Sequence, residues 1–310
     1  MLFLFLAVAC SLAIGMIFKH TGRQKMDRVA LLTVNYAAAV GVAGVLLSLG
    51  GRGAGAGLTW SPSLLALSVG TGALLIAGFF VLMLATDVAG MSLAIGVMRV
   101  SVVIPFLASW LVWNEVPTLA QGVGMALAGV AFFLIAWQSP TQEAVLADAG
   151  ADADLPPSPT AVLTSTAPAR VFGVLALTFV MGGAVDVTMK AFEESFGATN
   201  SRVLFLLLAF GVAFLIGAAI VLVRGLRRGV WPEQRTVLWG IGLGVINYGS
   251  LEFILRAIEQ LPGTFVFPAN NIAIVVLAAV LGVAVWNETL TRPNRVGLGL
   301  AVLALLLLNL

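Results

Sequence analysis

The amino-acid sequence predicts an all-α, polytopic membrane protein: ten transmembrane helices arranged as two inverted five-helix repeats. Three observations carry that prediction. Of 310 residues, 60% are hydrophobic and only 10% charged, whereas a soluble domain is about a quarter charged; the mean hydropathy is +1.08. The apolar residues fall into long runs, and a membrane-spanning helix needs roughly 20 of them. Finally, Val112-Trp113-Asn114-Glu115 recurs 173 positions later as Val285-Trp286-Asn287-Glu288.

The first run, 2–18, is free of charge and stops at Lys19 and His20. Its Leu6-Ala7-Val8-Ala9-Cys10 has some likeness to a lipoprotein cleavage box, but no basic residue precedes the run as a signal peptide requires, so 2–18 is read as the first span. The next four spans are expected near 29–49, 62–84, 90–112 and 117–137. Between the second and third, Gly51-Arg52-Gly53-Ala54-Gly55 has the glycine spacing of a phosphate cradle. It follows no strand and lacks Gly-Lys-Ser/Thr, so it reads as an extramembrane loop. Segment 138–169 holds Glu143, Asp148, Asp152, Asp154 and Leu155-Pro156-Pro157-Ser158-Pro159, too polar and Pro-rich to bury a core, and reads as a linker. Five more spans follow near 171–190, 202–223, 236–255, 264–285 and 294–309. The expected organisation is thus a repeat over 1–137, a linker over 138–169 and a second repeat over 170–310.

The repeat keeps its register well beyond four residues. The same 173-residue shift carries Gly90 onto Gly263 and Gly124 onto Gly297, and each of the first five spans onto one of the second five. Because each repeat holds an odd number of spans, the second enters the membrane upside down relative to the first, a plan common in secondary transporters. Such a plan puts a solute site near the midplane, at the interface of the repeats.

Charge placement speaks to orientation and to excluded functions. Loops after odd-numbered spans hold Lys19, Arg23, Lys25, Arg28, Arg170, Arg224, Arg227, Arg228, Arg235, Arg292 and Arg295, while the other side holds only Arg52, Lys190, Arg202 and Arg256. By the positive-inside rule this count puts the odd loops in the cytoplasm and both termini outside. The pI near 9.0 does not point to nucleic acid, because the basic residues flank apolar runs and form no patch with interleaved aromatics. Cys10 is the lone cysteine and His20 the lone histidine, so neither a disulfide framework nor a Cys/His metal site can form within one chain, and no cofactor is expected.

Polar groups inside the apolar runs are the candidates for solute handling, since an ionisable group in a bilayer needs a partner, water or a ligand. Arg99 lies about nine residues into the fourth span, roughly 13 Å at 1.5 Å per residue, close to the middle of a core about 30 Å thick. Its guanidinium suits the carboxylate or phosphate of an anionic or zwitterionic solute; the alternative is an internal ion pair with Asp186 or Glu252. Asn35-Tyr36, Asn247-Tyr248 and Asn270-Asn271 offer amides and phenols that either line a solute path or bridge helices. Pro268, just before the last pair, is expected to loosen its helix. Glu252 with Arg256, and Asp186 with Lys190, stand at i,i+4, where each pair either neutralises itself or supplies a coupling carboxylate; Glu252, farther from its helix end, is the better proton-coupling candidate. Glu115 and Glu288 precede helices and are read as meeting the positive end of the helix dipole. Trp113 and Trp286 suit an interfacial aromatic belt.

A helix with a mid-span Pro, then an aromatic-Asn-Glu turn, then a Gly-rich helix resembles the EamA-like branch of the drug/metabolite transporter superfamily. Pro105, Trp113-Asn114-Glu115, Gly122, Gly124 and Gly129 carry the likeness in the first half; Pro268, Trp286-Asn287-Glu288, Gly297 and Gly299 carry it more loosely in the second. The chain departs from the pattern where the second helix reads Thr33-Val34-Asn35-Tyr36 in place of an Arg, and where no Pro matches Pro105 in the second half. The resemblance implies ten spans, two five-helix repeats, both termini in the cytoplasm and transport of a small solute, the termini standing opposite to the Lys/Arg count. The expectation is a carrier of a small polar or amphipathic metabolite in a bacterial inner membrane, with lipids as neighbours and protons as the candidate coupling ion. The alternatives are an integral-membrane enzyme, which needs convergent acids, histidines or metal ligands, and a channel, which needs a ring of charges or carbonyls.

Overall fold

The computed structural model describes residues 1–24, 26–50, 61–89, 91–136, 168–286 and 292–309. Every regular element among them is a helix: α1 (Leu2–Arg23), α2 (Arg28–Gly50), α3 (Pro62–Ala89), α4 (Met91–Val100), α5 (Val103–Leu111), α6 (Leu119–Ala136), α7 (Pro168–Phe196), α8 (Arg202–Arg228), α9 (Gln234–Gln260), α10 (Gly263–Trp286) and α11 (Arg292–Leu308). Seven of these, α1, α2, α3, α7, α8, α9 and α10, are long and apolar enough to cross a membrane, and the chain is a multi-pass, all-helical membrane protein. Helices suit this setting because each satisfies its own backbone donors and acceptors where no water can. The loop 51–55, nearly all of the linker 138–169 and the Asn287-Glu288 half of the second tetrapeptide lie outside the described residues.

The fourth span, expected as one helix over 90–112, is two helices meeting at Ser101-Val102. Pro105 is the physical reason. It has no N–H to give the Ser101 carbonyl four residues back, and its ring crowds that carbonyl. The Ser101 carbonyl accepts instead from the Ile104 N–H at 2.9 Å, a tighter turn, and α5 starts afresh. Pro268, by contrast, sits near the start of α10, which runs on unbroken to Trp286, so the loosening expected there is no break.

The turn after α5 explains its Asn. Asn114 has φ 57°, a left-handed conformation that Asn tolerates better than most residues. The Glu115 N–H then donates to the Ser109 carbonyl at 3.1 Å. The N-terminus of α6, before which Glu115 stands, is closed by Thr118 and Gln121: the Gln121 N–H donates to Thr118 Oγ1 at 3.2 Å, and the Thr118 N–H to Gln121 Oε1 at 3.0 Å. This reciprocal pair is a capping box. Thr118→Ala is expected to lower stability by about 1 kcal/mol, read as a reduced unfolding midpoint of the purified protein.

Contacts divide the chain into two compact units that cut across the sequence repeats, Met1–Ile76 with Val187–Val266, and Ala77–Asp186 with Phe267–Leu310. In the first, α2 packs against α8 and α9, and α1 against α9. Glycine makes these approaches possible. A Cβ at Gly244 of α9 would collide with the Asn35 carbonyl of α2, and one at Gly240 would lie 2.7 Å from Val34 Cβ. Gly72 of α3 meets the Ala209 carbonyl of α8 in the same manner. Close packing of this kind is how helices associate where lipid removes the hydrophobic drive.

In the second unit α6 and α11 run antiparallel. A Cβ at Gly124, near the start of α6, would lie 3.1 Å from the Ala304 carbonyl near the end of α11; one at Gly297, near the start of α11, would lie 2.9 Å from the Ala131 carbonyl near the end of α6. The 173-residue shift maps Gly124 onto Gly297 and Ala131 onto Ala304. One contact is therefore the counterpart of the other with the helices exchanged. Gly182 and Gly183 of α7 lie against Ser101 and Ile104, at the break between α4 and α5.

Candidate functional site

Arg99 occupies the last turn of α4. Because Pro105 ends that helix early, its C-terminal carbonyls, with their partial negative charge, fall within the apolar part of the chain. Nη1 of Arg99 donates to Asn271 Oδ1 of α10 at 3.2 Å. Asn271 in turn donates through Nδ2 to the Phe267 carbonyl one turn earlier, at 3.1 Å, which fixes the way its amide points. Asp186 stands on α7 one turn beyond Gly182 and Gly183, which lie against Ser101, two residues past Arg99. Yet among the described residues no hydrogen bond joins Asp186 to Arg99, and no ion pair within 4.0 Å. Both side chains are half-buried. The same unit holds two buried oxygens without a hydrogen-bond partner, Asn270 Oδ1 on α10 and Ser109 Oγ on α5.

In the first unit the expected polar residues bridge helices. Asn247 Nδ2 of α9 donates to Asn35 Oδ1 of α2 at 3.2 Å, and Tyr36 Oη donates to the Leu75 carbonyl of α3 at 3.2 Å. Phe210 of α8 lies between the rings of Tyr36 and Tyr248, with centroids 6.1 and 6.3 Å away. Asn35, 1% exposed, keeps an Nδ2 without a partner. Glu252 is buried on α9, where Oε1 accepts from Arg256 Nε at 2.8 Å and Oε2 receives a long contact from Tyr248 Oη at 3.5 Å. It is thus joined to Arg256 one turn away. Lys190, 1% exposed, forms an ion pair with Glu194, the residue one turn further along α7.

Sequence reasoning missed the charges at helix ends. Arg202 at the start of α8 pairs with Glu193 of α7 at 3.2 Å and with Glu259 of α9 at 2.6 Å, tying three helices together. The available signal was three charges within a turn or two of helix ends, easily taken for solvated termini. Asp27 was missed likewise. It caps α2 through the Val29 and Ala30 N–H groups at 3.0 and 3.2 Å, and takes two hydrogen bonds from Arg224 of α8, the shorter at 2.7 Å. Beside this pair is a cavity of about 720 Å³ lined by Gln24, Asp27, Arg224, Trp231, Arg235 and Thr236 among others.

Partial burial alone would raise the Asp27 pKa, but the Arg224 hydrogen bond and charge and the two backbone N–H groups outweigh it and hold the carboxyl below its ordinary 3.8. The stabilisation is then complete above the unfolded value and disappears as pH falls through the lower folded one. Wild type is expected to melt above Asp27→Asn at about pH 7, and the difference to shrink as pH falls below the ordinary carboxylate value of 3.8. With both partners about a third exposed, the ion pair itself contributes no more than about 1 kcal/mol.

No model of a known protein family matches the chain. Over 302 residues it is 23% identical to an uncharacterized protein of Haemophilus influenzae (strain ATCC 51907 / DSM 11121 / KW20 / Rd), spanning 95% of this chain and 93% of that one. A protein of known crystal structure superposes with a TM-score of 0.70 at 16% identity, covering 99% of this chain and 95% of that one, a likeness of fold.

Proposed function

We propose that the protein is a secondary transporter that moves a small polar or amphipathic metabolite across a bacterial inner membrane by alternating access. Arg99 carries this reading. A guanidinium with five N–H donors stands inside an apolar bundle beside a broken helix, and it gives one hydrogen bond, to Asn271, among the described residues. A group so costly to place in a membrane, with most of its bonding capacity uncommitted, suits a ligand that comes and goes.

The architecture in this reading is ten spans as two inverted five-helix repeats, α4 and α5 together forming the fourth. Support comes from the antiparallel fifth spans of the two halves, α6 and α11, and from their exchanged Gly–Ala contacts. A second exchange agrees with it: the third span of each half sets a glycine, Gly72 or Gly244, against a carbonyl in the second span of the other, Ala209 or Asn35. Resemblance to the drug/metabolite transporters points the same way. The test is counterflow in proteoliposomes. Preloaded unlabelled solute is expected to accelerate entry of labelled solute; saturable entry without acceleration refutes a carrier.

Coupling is assigned to Glu252, which stands on α9 between the Tyr248 hydroxyl and the Arg256 guanidinium. Glu252→Gln is expected to abolish the dependence of uptake on a pH gradient while leaving counterflow in place. Uptake that a pH gradient still drives in the variant removes this role.

A further inference from the structure

We infer that the cavity at the shared end of α1, α2, α8 and α9 binds a phosphate group together with the small headgroup that bears it, on a membrane lipid or free in solution. The inference goes beyond the carrier reading and stands on other residues, so either can fail without the other.

The cavity has a volume of about 720 Å³. Its walls come from the connection of α1 to α2, from that of α8 to α9, and from the adjoining helix turns that carry Arg224, Arg235 and Thr236. Four spans end here, which puts the cavity at the bilayer surface. The stretches 19–28 and 224–235 hold eight Lys and Arg residues against Asp27 and Glu233. A surplus of positive charge beside span ends draws anionic headgroups.

Charge surplus alone makes no site, but the lining also holds donors with nothing to donate to. Arg224 is engaged by Asp27, which takes two hydrogen bonds from it. Arg235 forms no hydrogen bond or ion pair among the described residues. Thr236 is 1% exposed and lines the cavity, yet among the described residues its hydroxyl has no hydrogen-bond partner. A buried hydroxyl in that state lacks a partner that a ligand can supply. The start of α9 adds its own donors. Glu233, the residue before that helix, does not cap it, and among the described residues the N–H groups of Gln234, Arg235 and Thr236 are taken by no acceptor.

A phosphate suits this set because its oxygens accept hydrogen bonds in three dimensions, whereas a carboxylate offers two oxygens in one plane. The helix end favours its charge, and the Arg235 guanidinium and Thr236 hydroxyl approach from the side. Of the two carboxylates in the lining, Asp27 is neutralised by Arg224 and the exposed Glu233 is screened by water. Trp231 supplies an apolar wall for the carbon part of the headgroup. Its ring is seated on Gly225 of α8, where a Cβ would lie 2.8 Å from the indole.

Melting of the purified full-length protein in detergent tests this with three additives: dioleoylphosphatidylglycerol, dioleoylglycerol (the same chains without phosphate) and glycerol phosphate (the headgroup without chains). At least one phosphate-bearing additive is expected to raise the melting temperature by several degrees and dioleoylglycerol to leave it unchanged. A response to phosphatidylglycerol alone identifies the source as lipid, and a full response to glycerol phosphate identifies it as solution. Arg235→Gln and Thr236→Val are each expected to cut the response at least by half. Arg227→Gln removes the same charge from the same rim outside the cavity and is expected to keep it. No response to either phosphate, an equal response to dioleoylglycerol, or equal losses in Arg227→Gln and Arg235→Gln overturns the site.

Discussion

Arg99→Ala is expected to reduce solute flux by about 100-fold or more while the protein still folds and inserts. Two parallel charge-assisted hydrogen bonds contribute about 1.5–3 kcal/mol each, and losing even about 3 kcal/mol corresponds to a factor of roughly 150. Folding is spared because, among the described residues, Arg99 makes one hydrogen bond to protein, at 3.2 Å, and no ion pair. The variant leaves Asp186 without its countercharge, so some loss of stability accompanies it, and removing Asp186 as well is expected to restore the melting temperature without restoring flux. Arg99→Lys keeps the charge and forfeits the fork, and is expected to fall between wild type and Ala. Wild-type flux from folded Arg99→Ala protein takes Arg99 out of the site.

Gly244→Val is expected to cost about 3 kcal/mol or more and to leave little folded protein, whereas Gly242→Val, two residues away on the same helix, is expected to stay within about 0.5 kcal/mol of wild type. The contrast follows from what each new Cβ meets. At Gly244 it meets the Asn35 carbonyl and lies 2.6 Å from Ala38 Cβ, whereas at Gly242 there is nothing within 4 Å. A rigid backbone carbonyl cannot turn aside as a side chain can, so α2 and α9 must separate, and the Asn247–Asn35 hydrogen bond goes with them. Unfolding midpoints in detergent for the two variants check the prediction, and equal midpoints contradict it.

Much of this architecture is readable from composition alone, because a bilayer imposes its thickness on every span and tolerates few charges inside one. That constraint locates the apolar helices and singles out Arg99, Asn270 and Asn271 as polar groups within them. It could not join Arg99 to Asn271, which stand 172 positions apart in the chain. Nor could it tell that Asn35 and Asn247 would bond to each other across two helices, because short polar side chains look alike whether they face a solute or a neighbour. Pro105 is legible as a mid-span proline, but the two-helix break is not, since proline in a membrane helix is often absorbed without one. Thr118 and Gln121 stand at the i,i+3 spacing of a capping box, a local signal in the sequence that the acidic Glu115 three residues earlier overshadows. The two compact units escaped the sequence entirely. Their borders fall inside α3, α7 and α10, the first two in mid-helix and the third in the first turn of its helix, where no loop signals a division.

The paired glycine contacts between α6 and α11 have one more implication. An interface whose two ends are chemically alike is degenerate: tilting one rod on the other loosens one end by about as much as it tightens the opposite one. Such a seam carries no bias of its own, so any preference for one tilt must be set by residues that break the likeness. Arg99 is the sharpest of these, since the 173-residue shift sets Ile272, fully enclosed and uncharged, in its counterpart's place.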